Sequence, residues 1–73
     1  MKTLEEYVNI PYKLNIIKDT EENTYTASFP ELKGCITCAS TIESVLLNVQ
    51  NAKREWIAAA LEEGISIPEP NHI

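Results

Sequence analysis

Cys35 and Cys38 form the pattern in this sequence that comes nearest to a chemical site. The C-x-x-C spacing is used both for zinc binding and for thiol exchange. A structural zinc ion needs four ligands, and the chain adds only His72 and carboxylates, so no metal site is predicted. A redox pair normally lies at the amino end of a helix, which lowers the thiol pKa. These cysteines lie in a predicted strand, where an offset of three places side chains on opposite faces, so we expect reduced, structural thiols.

The acidic residues are the second candidate for chemistry. Two-metal phosphoryl transfer needs several carboxylates that converge on ions about 4 Å apart. The acids of this chain are instead spread over a predicted turn (Asp19, Glu21, Glu22) and around a predicted helix (Glu43, Glu55, Glu62, Glu63). Acids in this arrangement usually form a solvated surface. His72 near the end of the chain lacks the positioned partner that a general base needs. We therefore expect no cofactor and no enzymatic activity, with a metal-dependent nuclease as an alternative.

Composition limits the classes of partner. The 73 residues form one predicted domain, residues 1–73, whose small core would gain from a partner. A net charge of −5 disfavours nucleic acid, which is bound by clustered Lys and Arg, and favours a basic protein. No apolar run approaches the roughly 20 residues that cross a bilayer, and the first residues lack the apolar segment of a secretory signal. The sequence therefore predicts a cytoplasmic protein without a membrane contact.

One long helix, from Ser40 to Gly64, must position whatever site the chain has. Ser40 and Glu43 could form a capping box, or Thr41 could be the cap instead. Gly64 is typical of a helix end. An apolar stripe at helical spacing predicts a face packed on a core, and it comprises Ile42, Val45, Leu46, Val49, Ala52, Trp56, Ile57 and Ala60. Leu47 lies outside this stripe, either as a singly exposed Leu or as a contact for another chain.

The chain before this helix alternates as strands do. Half-buried strands are predicted at residues 12–18 and 24–29, with a third short strand at residues 35–38. A short helix capped by Thr3 is predicted before Pro11, and residues 65–70 form an edge strand or an extended arm because they carry Pro. The predicted class is α+β, a three-stranded antiparallel meander with one long helix on one face. Because the other face and the outer strands lack partners, a homo-oligomer formed through a sheet edge or face is expected.

The stretch Phe29-Pro30-Glu31-Leu32-Lys33-Gly34-Cys35 carries a family resemblance. Together with Thr41, Asn48 and the segment from Trp56 to Pro70, it resembles the HicB antitoxin family over nearly the whole chain. The resemblance implies a partial ribonuclease-H-like fold of three strands, a long helix and an additional small helix. It also implies a non-catalytic protein that binds HicA, a small basic messenger-RNA-degrading ribonuclease, and covers its active site.

Two further expectations follow from this resemblance. Full-length members usually carry a second, DNA-binding domain. This chain ends three residues after Pro70 and no such domain is predicted in it, so direct operator binding is not expected of this polypeptide alone. A stand-alone homo-oligomer with a regulatory or scaffolding role and no toxin is the alternative function.

Loops held by a rigid scaffold carry recognition more often than core residues do. The residues predicted to contact a partner are accordingly Glu21, Glu22, Phe29, Pro30, Glu31, Leu32, Lys33 and Gly34 in the turns, together with Leu47 on the outward face of the long helix.

Overall fold

The structure, a computed structural model, describes residues 3–70. Its elements in chain order are α1 (Leu4–Val8), β1 (Asn15–Asp19), β2 (Thr24–Ser28), β3 (Ile36–Ala39) and α2 (Ile42–Glu63). The strands form one antiparallel sheet in the order β1-β2-β3, and α2 packs on one face of it. The predicted α+β class, the meander and the short amino-terminal helix are therefore confirmed.

Local capping chemistry sets the ends of α2. The Thr41 side chain accepts from the Ser44 amide at 3.1 Å, so Thr41, rather than Ser40, is the cap. Gly64 ends the helix with φ at +71°, a left-handed conformation that glycine adopts without steric cost, and its N–H donates to the Ala60 carbonyl. The stop signal is confirmed, and of the two start signals the second is correct.

The capping box of this protein lies in α1. The Glu6 amide donates to Thr3 Oγ1 at 3.3 Å, and the Thr3 amide donates to Glu6 Oε1 at 3.0 Å. α1 packs against α2, and an exposed ion pair joins Glu5 to Arg54 at 2.8 Å. A five-residue helix is too short to be stable alone, so its position depends on these contacts with α2.

The sheet has one covered and one open face. In the register Ile16 lies opposite Ala27, and Ala27 opposite Thr37, so these residues face α2, where Ala27 is fully buried. Helix α2 packs on β2 and β3 and leaves β1 uncovered. Every residue of β1 is consequently exposed, which corrects the predicted half-buried strand. The buried part of that prediction, Tyr12 with half-buried Leu14, precedes the strand.

The core lies between α2, the covered face of the sheet and the loop after β2. Its largest fully buried side chains are Leu32, Val45, Val49 and Ile57. Two members of the predicted apolar stripe of α2, Ile42 and Leu46, are exposed, contrary to the prediction. The other buried members of the cluster are Tyr12, Ala27, Phe29 and Cys35.

Substitution of Thr41 by alanine tests the cap of α2. The Ser44 amide loses its acceptor, so the free energy of unfolding is expected to fall by about 1 kcal/mol, whereas Thr41→Ser retains most of it. Urea denaturation followed by circular dichroism measures the change. Ser40→Ala is the matched control, because Ser40 precedes the cap and is exposed. An equal loss of unfolding free energy in Ser40→Ala and Thr41→Ala would show that Thr41 is not the cap.

Candidate protein-binding surfaces

The acidic hairpin turn joins β1 to β2 at one end of the sheet. Asp19 Oδ1 accepts from the Glu21 amide at 2.9 Å and from the Glu22 amide at 3.3 Å. Asn23 adopts a left-handed φ of 55°, which Asn tolerates better than most residues, and so completes the reversal. The Asp19 side chain thus shapes the turn, while Glu21 and Glu22 are exposed to solvent. Three acids within four residues, Asp19, Glu21 and Glu22, give this turn a negative charge in a fixed local geometry.

The loop between β2 and β3 is held rigidly by its own backbone. The Phe29 amide donates to the Cys35 carbonyl at 3.1 Å, and the Leu32 amide to the Phe29 carbonyl at 2.9 Å. Gly34 has φ at +84°, which explains glycine at this reversal. Trp56 Nε1 donates to the Lys33 carbonyl at 2.8 Å. Hydrogen bonds therefore join the loop both to itself and to α2.

Two residues of this loop do not face solvent. Phe29 is 3% exposed and Leu32 is fully buried, because the loop folds its apolar side chains under itself into the core. Phe29 and Leu32 are among the predicted partner contacts, but in this structure their side chains support the loop from within. Pro30, Lys33 and Gly34 are exposed, and half-buried Glu31 accepts from the Lys13 amide at 3.1 Å.

The predicted contact residues fall into separate groups. The register places Asp19 opposite Thr24 at the acidic turn, whereas Ser28 pairs with Ile36 at the end where the loop begins. Four residues of strand separate the two ends, or roughly 14 Å. Leu47 is 64% exposed on the outer side of α2. The structure therefore does not assemble the predicted residues into one continuous patch.

Lys53 is a buried charged residue that the sequence patterns did not single out. It is only 4% exposed, and its Nζ donates to the Val8 carbonyl at 2.9 Å and to the Ile10 carbonyl at 3.1 Å. The same ammonium lies 5.1 Å from the ring centroids of Tyr12 and Phe29, within cation–π range. Its position four residues after Val49 and four before Ile57, inside the apolar stripe, is the signal that could have revealed it.

Burial perturbs the titration of this lysine and of the cysteine near it. Desolvation lowers the pKa of Lys53 from 10.5, and the proximity of Cys35 raises it in part. Desolvation likewise raises the pKa of the Cys35 thiol from 9.0, and Lys53 opposes that shift. Both groups are buried, and the carbonyls of Val8 and Ile10, at and just after the end of α1, accept from the Lys53 ammonium. A buried thiol of raised pKa is a poor nucleophile, which agrees with a structural role.

Tyr12 contacts the carboxyl-terminal arm, residues 65–70. The Tyr12 hydroxyl donates to the Pro68 carbonyl at 2.7 Å. Burial raises the pKa of Tyr12, and Glu69, Tyr7 and Glu31 raise it further. Beside the arm lies a cavity of about 370 Å³ between α1 and the end of α2, and it brings together no set of catalytic groups. Residues 65–70 form an extended arm, one of the two predicted possibilities.

The cysteines and the acidic residues are the two candidates for chemistry in the sequence. Cys35 and Cys38 are free thiols, the first buried and the second exposed. Cys38 lies in β3 as predicted, whereas Cys35 lies in the loop just before the strand. Within residues 3–70 no three His, Cys, Asp or Glu side chains are grouped as metal ligands. His72 lies outside the described residues. Neither described helix is long and apolar enough to cross a membrane.

The described residues form an α+β domain with an exposed acidic turn and exposed apolar side chains. Residues 12–73 match the family described as "HicB_like antitoxin of bacterial toxin-antitoxin system", and the chain belongs to this family. It is also similar to the UPF0150 protein Ta0767 of Thermoplasma acidophilum, with 33% identity over 60 residues, 82% of this chain and 86% of that protein. No solved structure matches. Family membership supports an antitoxin role, a toxin partner and a non-catalytic protein in general terms.

Proposed function

We propose that this chain is an antitoxin that neutralises a small basic HicA-type messenger-RNA-degrading ribonuclease by covering its active site. Membership of the HicB-like antitoxin family carries the proposal. The net charge of −5 supports it, because opposite charge steers two proteins together and raises the rate of association.

Among the exposed groups, the acidic turn is the surface best suited to a basic toxin. Glu21 and Glu22 add negative charge on a turn whose backbone is already ordered by Asp19. An ordered turn loses little conformational entropy on binding, which favours affinity. The loop at the other end of the sheet contains both acidic Glu31 and basic Lys33, so it offers no comparable net charge. The proposed contact therefore centres on the turn, with exposed Leu47 as an additional apolar contact.

The test is a binding measurement with HicA-type toxins, beginning with the product of the neighbouring gene. The catalytic His of each toxin is replaced so that the toxin can be expressed safely. The Glu21→Lys/Glu22→Lys variant is expected to raise the Kd at least about tenfold, since like charges then meet across the interface. The Glu62→Lys/Glu63→Lys variant is the matched control, because it changes net charge equally at exposed positions near the end of α2.

The outcomes separate the function from the surface. Failure to bind any such toxin, or to suppress RNA cleavage by the active toxin, would contradict the antitoxin proposal. Binding that is weakened equally by both double variants would show that only net charge matters and that the acidic turn is solvated surface. Cleavage of RNA by this chain alone with magnesium or manganese would favour the nuclease alternative instead.

A further inference from the structure

Helix α2 leaves an apolar strip uncovered beside it. Ile16 in β1 faces the same side of the sheet as buried Ala27, yet it is 40% exposed because α2 packs only on β2 and β3. On α2 itself, Ile42 and Leu46 lie one turn apart and are 41% and 37% exposed. Apolar side chains of both elements therefore remain open to solvent on the side of the sheet that carries the core.

These side chains border one groove between α2 and β1. Leu46 precedes Lys53 by seven residues, about two turns, so both side chains leave α2 on the same side. The Lys53 ammonium reaches the carbonyls of Val8 and Ile10, in the segment that leads to β1. Because α2 begins just after β3 and runs back along the sheet, Leu46 is level with the middle of the strands, where Ile16 lies. The α2–β1 groove is thus lined by Ile16, Tyr25, Ile42 and Leu46.

One end of the α2–β1 groove is acidic. β3 ends at Ala39, which pairs with Tyr25 next to the acidic turn, so α2 begins at the end of the sheet that carries this turn. Glu43, in the first turn of α2, adds a carboxylate to the three of the acidic turn, and it lies one turn before Leu46. Lys18 supplies an opposing ammonium, 5.6 Å from the ring centroid of Tyr25. Four carboxylates against this one ammonium leave an excess of negative charge.

The shape of the groove suits a helix. A strand added to the edge of β1 would lie in the plane of the sheet and would leave Ile16 uncovered, whereas a helix packs on the face of a sheet. Packed helices lie about 8–10 Å apart, and β1 lies two strand spacings, or about 10 Å, from β3. A second helix beside α2 is therefore placed above β1.

The charge of the groove selects the chemistry of that helix. Negative charge at the end of the groove attracts basic side chains, whereas a second copy of this chain would bring acids toward acids. We propose that the α2–β1 groove binds an amphipathic helix of the toxin. The apolar side of this helix covers Ile16 and Leu46, and its Lys or Arg side chains face Glu43 and the acidic turn. This inference rests on the proposed function and specifies the contact within it.

The experiment is methyl cross-saturation in the complex of the natural chain, labelled at Ile and Leu methyl groups, with an unlabelled, catalytically inactive HicA-type toxin. Irradiation of the toxin is expected to weaken the methyl signals of Ile16, Ile42 and Leu46, which lie under the helix. The signals of Ile17 and Ile36, on the opposite face of the sheet, should persist. Loss confined to Ile17 and Ile36, or new protection of the β1 amides from exchange, would overturn the inference, since a paired strand protects amides.

Matched variants measure the same contact by affinity. Leu46→Lys is expected to raise the Kd for the toxin at least about tenfold, whereas Asn48→Lys, the same added charge on the other side of α2, changes it less than about twofold. Ile16→Thr is expected to raise the Kd about fivefold, and Ile17→Thr on the other face of β1 is its control. Lys18→Met should lower the Kd, because it removes a cation that repels a basic helix.

The outcomes separate this inference from the proposed function. Failure of the natural chain to bind any HicA-type toxin would contradict both. Binding that Leu46→Lys and Ile16→Thr leave unchanged would retain the antitoxin and overturn only the groove, and a Kd raised by Lys18→Met would overturn the basic helix. The substituted side chains are exposed, so the variants are expected to fold, which circular dichroism checks. The cross-saturation experiment uses the natural chain and does not depend on them.

Discussion

Replacement of Leu32 by alanine is expected to lower the free energy of unfolding by about 2–5 kcal/mol. Leu32 is fully buried in the core, although it lies in a loop, so its truncation leaves a cavity beneath the stretch from Phe29 to Cys35. A domain of 73 residues has a total stability of about 4–11 kcal/mol. The variant therefore loses a large fraction of its stability, measured by urea denaturation.

The control for this variant is Leu47→Ala. The same chemical change at a 64% exposed position removes little buried area, and we expect a change within about 0.5 kcal/mol. Leu32→Met, which nearly conserves volume, should recover most of the loss. Equal losses in Leu32→Ala and Leu47→Ala would mean that the loop does not contribute its apolar side to the core.

Replacement of Lys53 is expected to have the second largest effect. Lys53→Ala removes the packed methylene stem and the donor to the Val8 and Ile10 carbonyls, so a loss of about 2–4 kcal/mol is expected. Lys53→Met keeps the stem and removes only the ammonium, and the expected loss is about 1–2 kcal/mol. Hydrogen exchange should show α1 opening first, since these bonds fasten its end to α2.

The pH dependence tests the charge of Lys53 specifically. Because the pKa is lowered on folding, the unfolded chain binds more protons than the folded chain in the window just below 10.5. The contribution of Lys53 to the free energy of unfolding therefore rises with pH through that window. Raised pKa values act oppositely: those of Cys35 and Tyr12 cause stability to fall as pH rises above 9.0 and 10.0 respectively.

The stability difference between the natural chain and Lys53→Met isolates the lysine from those two groups. We expect this difference to grow with pH toward 10.5, and loss of the nearby ammonium raises the pKa of Cys35 in the variant, which changes the difference in the same direction. Arg54→Met is the control, because it removes an exposed cation that also contacts α1. A Lys53→Met chain more stable than the natural one at neutral pH would show that desolvation outweighs the hydrogen bonds.

Local physics determined much of this protein from its sequence alone. The ends of α2 follow from one hydroxyl and one glycine, at Thr41 and Gly64, whose effects extend over a single turn. The three strands follow from two-residue alternation. The class of fold could therefore be predicted without tertiary contacts.

Only the tertiary structure decided which apolar residues are covered. Alternation cannot show that α2 reaches β2 and β3 but not β1, so the exposure of β1 was missed. The burial of Leu32 depends on a loop folding under itself. The Lys53 ammonium donates to the Ile10 and Val8 carbonyls, 43 and 45 residues earlier, a separation that no local pattern encodes. Periodicity specifies which side of an element is apolar, whereas packing decides how much of that side another element covers.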